Sequence, residues 1–327
     1  MEVSGVLRAL DSEGLVNLLA STHAGKEGFG GRTAQIVVGA ECVFCKLIPL
    51  TRLESLLANY RSTRNLFELP SYYQYGIGSV GFGAWRELAA HALASDWVLH
   101  GKHEQFPLMH HWRVVQFTGS TMIDSEADDY LKHPAACGND ESAIRERLLA
   151  LRESTSQLAI FTEHFPKTLS GWLFEQLQSD RPSAHTAVSF VEERSRHAFE
   201  FMRSSNFVHF DAHLDNVLTD GTRLYFADLG LAVHKSFDLS EDERKFMNDH
   251  AYYDPARFAS SLVHTICRAI PGDEGWRQKL AGPDLHTDSL PPAAIAALQS
   301  YTPIAKYMAD FAQTLINTNR YVTFAPS

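Results

Sequence analysis

One stretch limits what this chain can fold into more than any other: His209-Phe210-Asp211-Ala212-His213-Leu214-Asp215-Asn216, followed downstream by Ala227-Asp228-Leu229-Gly230. Phe207 and Val208 before it are apolar and anchor the loop in a core. Val217 and Leu218 begin a strand, Asp220-Gly221 is a hairpin-turn signal, and Leu224, Tyr225 and Phe226 return as the second strand. Such a hairpin carries Asp228 back beside Asn216. Asp211 is then a candidate base, while Asn216 and Asp228 offer oxygen ligands to Mg²⁺, a hard cation that takes one or two protein groups beside phosphates and waters. ATP-dependent phosphoryl transfer needs this set: one carboxylate orients the acceptor hydroxyl, and an Asn with a second carboxylate holds the metal. A lone Asp-x-x-x-x-Asn would read as an ordinary polar loop. The His two residues before the base, the hairpin and the Asp-Leu-Gly make the combination far more specific.

The same residues resemble the protein-kinase superfamily, and within it the aminoglycoside-phosphotransferase and choline-kinase branch, which reads His-Gly-Asp-Leu-His-Pro-x-Asn here. In this chain Phe210 replaces the common Gly and Leu214 replaces Pro. His213 stands where the antibiotic kinases have His and where Ser/Thr protein kinases have Lys. The resemblance implies an α+β, two-lobed kinase-like fold: an N-terminal antiparallel-sheet lobe with one main helix, and a mostly helical C-terminal lobe. It spans roughly residues 25 to 270 and implies ATP and Mg²⁺ as cofactors. By the same resemblance Asp211 and His213 are catalytic, and Asn216 and Asp228 bind metal. The expected division is 1–162 for the ATP-binding lobe, with insertions near 50–80 and 118–146, and 163–327 for the catalytic and acceptor-binding lobe.

The N-terminal half carries matching features. Val3, Val6, Leu7 and Leu10 fall at helical spacing. Gly25-Lys26-Glu27-Gly28-Phe29-Gly30-Gly31 precedes a run of β-formers, Thr33 to Val38, and Cys42 to Ile48 reads as a second strand with Lys46 on it. A Gly-rich hairpin followed by a strand Lys is the phosphate-cradling layout of kinases, so Gly28, Gly30 and Lys46 are nucleotide-binding candidates. Phe44 departs from the small residue usual two before that Lys. A second cluster, Gly76 to Gly81, fits Gly-x-Gly-x-x-Gly but lacks a preceding buried strand and a following βαβ repeat, so it reads as a loop opening a helix from Ala84 to Val98. Kinases place on this helix a Glu that pairs with the strand Lys; Glu87 is the first choice, with Glu54 and Glu68 as rivals.

Phe106 to Val115 reads as a strand, 118–146 as an irregular polar insert, and Leu158 to Phe161 as a buried strand entering a kinase-type hinge. There Glu163 and Phe165 match the positions whose backbone groups bind adenine. Helices are expected at 169–177, 184–204, 254–270 and 292–318, and Ser240-Glu241-Asp242-Glu243 is a capping box opening another. No Ala-Pro-Glu follows Asp228-Leu229-Gly230, which favours a small-molecule hydroxyl acceptor over a protein.

Composition narrows the partners. The 327 residues carry a formal charge of −10, which argues against nucleic acid, whose phosphates reward Lys and Arg clusters. An acidic surface suits a cationic acceptor, with Asp254, Asp249 and Glu243 as candidate lining. Cys42-x-x-Cys45 has no second pair and sits in a strand, so packing is expected rather than metal or redox chemistry. The four cysteines show no disulfide framework, which fits a cytoplasmic protein, and neither a signal peptide nor a membrane-spanning run is apparent. The sixteen His are scattered and include no His-Glu-x-x-His motif that would suggest zinc.

Overall fold

The computed structural model describes residues 2–20, 24–28, 31–76, 79–116, 141–280 and 290–325. They divide into two compact units. The first comprises 1–102, 107–164 and 229–247; the second comprises 103–106, 165–228 and 248–327.

The first unit is built on a five-stranded sheet of β1 (Ala24–Gly28), β2 (Gly31–Val38), β3 (Glu41–Leu50), β4 (Met109–Gln116) and β5 (Ser156–Glu163), in the order β1-β2-β3-β5-β4. Every neighbouring pair is antiparallel. Strand alternation gives the sheet two apolar faces, and both are covered. Ala34, Ile36 and Val38 of β2 and Val43, Cys45 and Leu47 of β3 pack with Val3 and Leu7 of α1 (Val3–Ala9) and Leu15 and Leu19 of α2 (Ser12–Ala20). On β3 the next residues in alternation, Ile48 and Leu50, join Leu158 and Ile160 of β5 against Ala84, Trp85 and Leu88. Those three open α4 (Ala84–Leu99), which follows a short α3 (Arg52–Ser55). Lys46 shares the parity of Ile48 and Leu50, so the pleat turns it toward the α4 face.

Gly31 is required where it stands. Its φ is +112°, and a Cβ there would lie 2.2 Å from the Leu47 carbonyl oxygen, the residue beside Lys46.

Three expectations need correction. The strand expected from Phe106 begins only at Met109. Pro107 lacks an N–H for the ladder, and Phe106 packs instead on Phe207 and Phe226 of the second unit. Part of the insert expected to be irregular through 146 is helical: α5 spans Glu141–Arg152, with Ile144, Leu148 and Leu151 buried at helical spacing. Residues 118–140 of that insert lie outside the described residues. The division expected at 162/163 falls beside the passage at 164/165, but 103–106 and 229–247 are each found with the other half of the chain.

The second unit is mostly helical: α6 (Leu169–Leu177), α7 (Arg181–Ser204), α9 (Tyr253–Ala269), α10 (Trp276–Lys279) and α11 (Pro292–Asn317), with α8 (Glu241–Asp249) beginning in the first unit. The Asp180 side chain caps α7 by accepting the Ser183 N–H at 3.0 Å, with Pro182 in the first turn. Ala184, Val188, Val191, Ser195, Ala198 and Met202 form its buried stripe. A small antiparallel hairpin, Val217–Thr219 with Leu224–Phe226, completes the unit. No helix among the described residues is long and apolar enough to cross a membrane. The expected class, α+β with an antiparallel sheet bearing one main helix and a mostly helical C-terminal part, is the class observed.

Candidate active site

The loop carrying Asp211 is fixed from behind. The backbone N–H groups of His209 and Phe210 donate to the two carboxylate oxygens of Asp254 at 2.7 and 2.8 Å. Burial pushes the Asp254 carboxyl up, against the pull of His209 and these two donors. His209 Nε2 lies 2.9 Å from the Ala227 carbonyl, which joins the loop to the residue before Asp228. Phe210 is fully buried against His250 and Tyr253, with φ +64°, a conformation uncommon for a bulky residue. Farther along, Leu214 donates to the Ser261 hydroxyl at 3.1 Å. Asp254 and Ser261 stand two helical turns apart on one face of α9, and Arg257 lies between them on that face.

In front, Asp211 is half-buried and held by side chains. Asn216 Nδ2 donates to Asp211 Oδ2 at 2.8 Å and to the Asp211 carbonyl at 3.1 Å. His213 Nε2 lies 3.5 Å from Asp211 Oδ1. The other ring nitrogen, Nδ1, accepts the Asp215 N–H at 3.3 Å, so the tautomer that satisfies both contacts carries its proton on Nε2, toward the base. An Arg257 guanidinium nitrogen is 3.6 Å from the same oxygen. Burial disfavours the Asp211 carboxylate, but the His213 hydrogen bond and the Arg257 charge outweigh it and hold the carboxyl below the ordinary range. Asp211 is thus ionised at neutral pH, as a proton acceptor must be.

The hairpin delivers the second carboxylate. Its turn is locked by Asp220: Oδ1 accepts the N–H groups of Thr222 and Arg223 at 2.7 and 2.8 Å, and Oδ2 accepts the Tyr225 hydroxyl at 2.8 Å. Against the cost of partial burial, these donors hold the Asp220 carboxyl down at about 2. Ala227 N–H donates to the Asn216 carbonyl at 2.9 Å, so the chain arrives at Asp228 beside Asn216. Asp228 has φ +56°, a region where Asp and Asn are several-fold enriched among non-glycine residues. With Nδ2 of Asn216 committed to Asp211, its Oδ1 is the remaining acceptor. One amide oxygen and one exposed carboxylate are a donor set that fits Mg²⁺ brought with phosphates. No group of three or more His, Cys, Asp or Glu able to hold a metal occurs among the described residues.

In the first unit, Lys46 Nζ lies 2.7 Å from Glu87 Oε1, and both side chains are under a tenth exposed. His91 Nε2 is 3.9 Å from the same oxygen, one helical turn on. Of the two rival glutamates, Glu54 pairs with Arg147 at 2.9 Å, and Glu68 is exposed beside Arg64 and Ser240 at the rim of a polar cavity of about 570 Å³. Gly28 ends β1 and pairs with Gly31; Gly30 lies outside the described residues. Glu163 spends both a backbone and a side-chain group on Leu108, donating its N–H to the Leu108 carbonyl and accepting the Leu108 N–H, each at 2.9 Å. Phe165 stacks on Tyr225 with ring centroids 3.7 Å apart. Cys42 and Cys45 are one exposed and one buried; burial pushes the Cys45 thiol up to about 12 despite Arg32, which leaves it inert.

Two of the three residues put forward as an acidic acceptor lining are engaged elsewhere. Asp254 is buried under the Asp211 loop, and Glu243 pairs with the buried Arg86 at 2.6 Å. Sequence reasoning missed Arg257, Arg86 and Arg147. The one available signal was the spacing Asp254-x-x-Arg257, which sets both residues on one helical face.

No protein-family model matches the chain, and no curated protein matches it. Among solved structures the chain is similar to one described as "WaaP in complex with acyl carrier protein", with 14% identity, a TM-score of 0.40, and 92% of this chain and 91% of that chain covered. The fold class of this chain, from its own element order, is α+β, with Lys46 of the sheet paired to Glu87 of the main helix.

Proposed function

We propose that the protein is an ATP- and Mg²⁺-dependent phosphotransferase that moves the γ-phosphoryl group of ATP to a hydroxyl of a small molecule, in the manner of the aminoglycoside-phosphotransferase branch. The observation that carries this reading is the Asp211–Asn216–Asp228 arrangement. A base held ionised, an amide turned by that base, and a second carboxylate returned by the hairpin form one hydrogen-bonded unit. Asp211 orients the acceptor hydroxyl and takes its proton as the oxygen forms its bond to the γ-phosphorus and the bond to the ADP oxygen breaks. Asn216 Oδ1 and Asp228 would hold the metal, which when bound neutralises charge on the β- and γ-phosphates. Arg257 keeps positive charge beside the base, and His213 turns its Nε2–H toward it, where charge develops on the transferring group. In the first unit, Lys46 is fixed by Glu87 as a phosphate-binding cation.

Of the three acids named as lining for a cationic acceptor, Asp254 and Glu243 are bound to other groups, which leaves Asp249. The acceptor class we retain is a neutral or polar hydroxyl compound such as a sugar or a natural product.

The deciding experiment offers γ-labelled ATP and Mg²⁺ to the unmodified protein, with sugars, hydroxylated amines, antibiotics and Ser/Thr peptides in separate reactions. Label on a small molecule is the expected result. Label on peptides alone would replace this reading with a protein or peptide kinase. ATP binding with no acceptor turned over would make the chain a nucleotide-binding pseudokinase.

A further inference from the structure

Glu54 does not touch Lys46, and its partners give it a different task. Its side chain is 2% exposed and takes four donors. Oε2 accepts the Thr51 N–H at 2.9 Å, the Thr51 hydroxyl at 2.6 Å and an Arg147 guanidinium N–H at 2.9 Å. Oε1 accepts the Ala84 N–H at 2.8 Å, and the Glu54 carbonyl accepts the Trp85 indole N–H at 2.8 Å. Thr51 directly follows β3, the strand of Lys46, while Ala84 and Trp85 are the first residues of α4, the helix of Glu87. One residue therefore ties the end of that strand to the start of that helix.

Helix starts leave backbone N–H groups without partners, and these are usually satisfied by the residue just before the helix. Here that residue is Gly83, which has no side chain to offer. The cap is borrowed from Glu54, thirty residues away in the chain. Gly83 also leaves room for the borrowed group: a Cβ there would lie 2.9 Å from Glu54 Oε1, and φ is +153°. Arg147 of α5 supplies the opposite charge; it is 1% exposed, and its guanidinium carbon sits 5.0 Å from the Phe67 ring centroid. Glu87 lies in the first turn of α4, so a shift of that turn carries it directly away from a contact only 2.7 Å long.

We propose that Glu54 and Arg147 are positioning residues that lock the first turn of α4 onto β3 and keep the Lys46–Glu87 pair closed in the resting protein, with no nucleotide or modification required. The part this plays in catalysis rests on the phosphotransfer reading above; the brace itself does not.

The test is the reactivity of Lys46. Wild type, Glu87→Gln, and the double variant Glu54→Leu/Arg147→Met are treated briefly with acetic anhydride, and Lys46 acetylation is read by peptide mass spectrometry. Losing a carboxylate at contact distance raises the nucleophilic fraction of an amine by about tenfold, so Glu87→Gln sets the scale. Replacing both members of a buried ion pair with apolar groups of similar size is often tolerated, so the double variant is expected to keep its circular dichroism. Its Lys46 should be acetylated about as fast as in Glu87→Gln, and its affinity for ATP·Mg²⁺ should fall while the acceptor KM holds. Lys46 as protected in the folded double variant as in wild type would overturn the proposal. Should that variant fail to fold, Gly83→Ala decides the matter by pressing one methyl onto Oε1: faster Lys46 acetylation upholds the brace and an unchanged rate refutes it. The labelling uses no nucleotide, so it judges the brace even if wild type bound no ATP, a result that would sink the phosphotransfer reading instead.

Discussion

Asp211 is surrounded by one amide, one imidazole and one guanidinium, and each neighbour stabilises its charged form. Asp211→Asn keeps the size of the side chain and removes the proton acceptor. We expect phosphoryl transfer to fall by about 10²–10⁴-fold with ATP binding retained; near-normal turnover of this variant in a steady-state assay would take Asp211 out of the mechanism. Asp228 calls for a more careful substitution because its backbone is left-handed. Asn tolerates that conformation and Ala does not. Asp228→Asn is therefore the clean probe of metal binding. It should weaken Mg²⁺-dependent ATP binding by roughly 10–100-fold, the range that even indirect partners of a metal supply, while metal-free ATP binding stays the same. Equal ATP·Mg²⁺ titrations in wild type and variant would remove Asp228 from the metal site. At this scale the site was readable because its chemistry is local: Asp211, His213, Asn216 and the turn at Asp220 lie within a dozen residues. The roles of Asp254 and Arg257 were not readable. A carboxylate that accepts two distant backbone N–H groups looks, in sequence, like any acid in a first helical turn.

The elements were more legible than the contacts between them. Runs of β-formers exposed β2 and β3, helical runs exposed α4, α7, α9 and α11, and the Ser240/Glu243 capping box is present, with Ser240 N–H to Glu243 at 2.9 Å and Glu243 N–H to Ser240 at 3.1 Å. The helix at α5 escaped because its outward face carries Glu146, Arg145 and Arg152, which give an acidic and basic pattern like that of a polar insert. Its inward Arg147 reads as one more surface charge until Glu54, ninety-three residues away, is found beside it. That pair has a pH signature. Burial works against the Glu54 carboxylate, yet Arg147 and Thr51 outweigh it, and its carboxyl lies below the ordinary range. A folded pKa below the unfolded value adds stability that is present above about pH 4.3, the unfolded value, and is lost as pH falls through the folded one. Thermal melts of wild type should thus lose midpoint temperature as pH drops below about 4.3, and Glu54→Leu/Arg147→Met should lose less over the same interval. Parallel curves for the two proteins would show that this pair contributes nothing to the acid limb.

For the molecule as a whole, the decisive region is 229–247, which lies in the first unit although the chain reaches it from the second. Arg86 holds Glu243 at 2.6 Å and donates to the Thr63 carbonyl at 2.7 Å, while the Thr63 hydroxyl accepts the Asp238 N–H at 2.8 Å. Gln74 reaches the Leu231 carbonyl. These bonds are all made by unmodified side chains. Protein treated exhaustively with phosphatase should therefore keep its full transfer rate; a loss of more than a few-fold, restored by a kinase, would show that this segment needs a phosphate to hold it. The insert at 50–80 could be named from sequence only as an interruption between Lys46 and its helix. The structure gives it a purpose, since Thr63 and Gln74 belong to it and are what the segment after Asp228 is tied to.

Phe210 also bears on how long the site lasts. Its ring is sealed among His250 and Tyr253, and its N–H and that of His209 end on the buried carboxylate of Asp254. Amides so enclosed exchange with solvent only when their whole cooperative unit opens, whereas most functional loops open on their own. In deuterium exchange the His209 and Phe210 amides should therefore be among the slowest in the chain, decaying together with the buried stripe of α7 and slowing no further when nucleotide is added. A fast, independent decay there would mean that the loop breathes apart from its core. A loop with no private opening has no partly ordered state: any function that depends on Asp211 would be lost together with the core in one event, so that its lifetime would be the unfolding time.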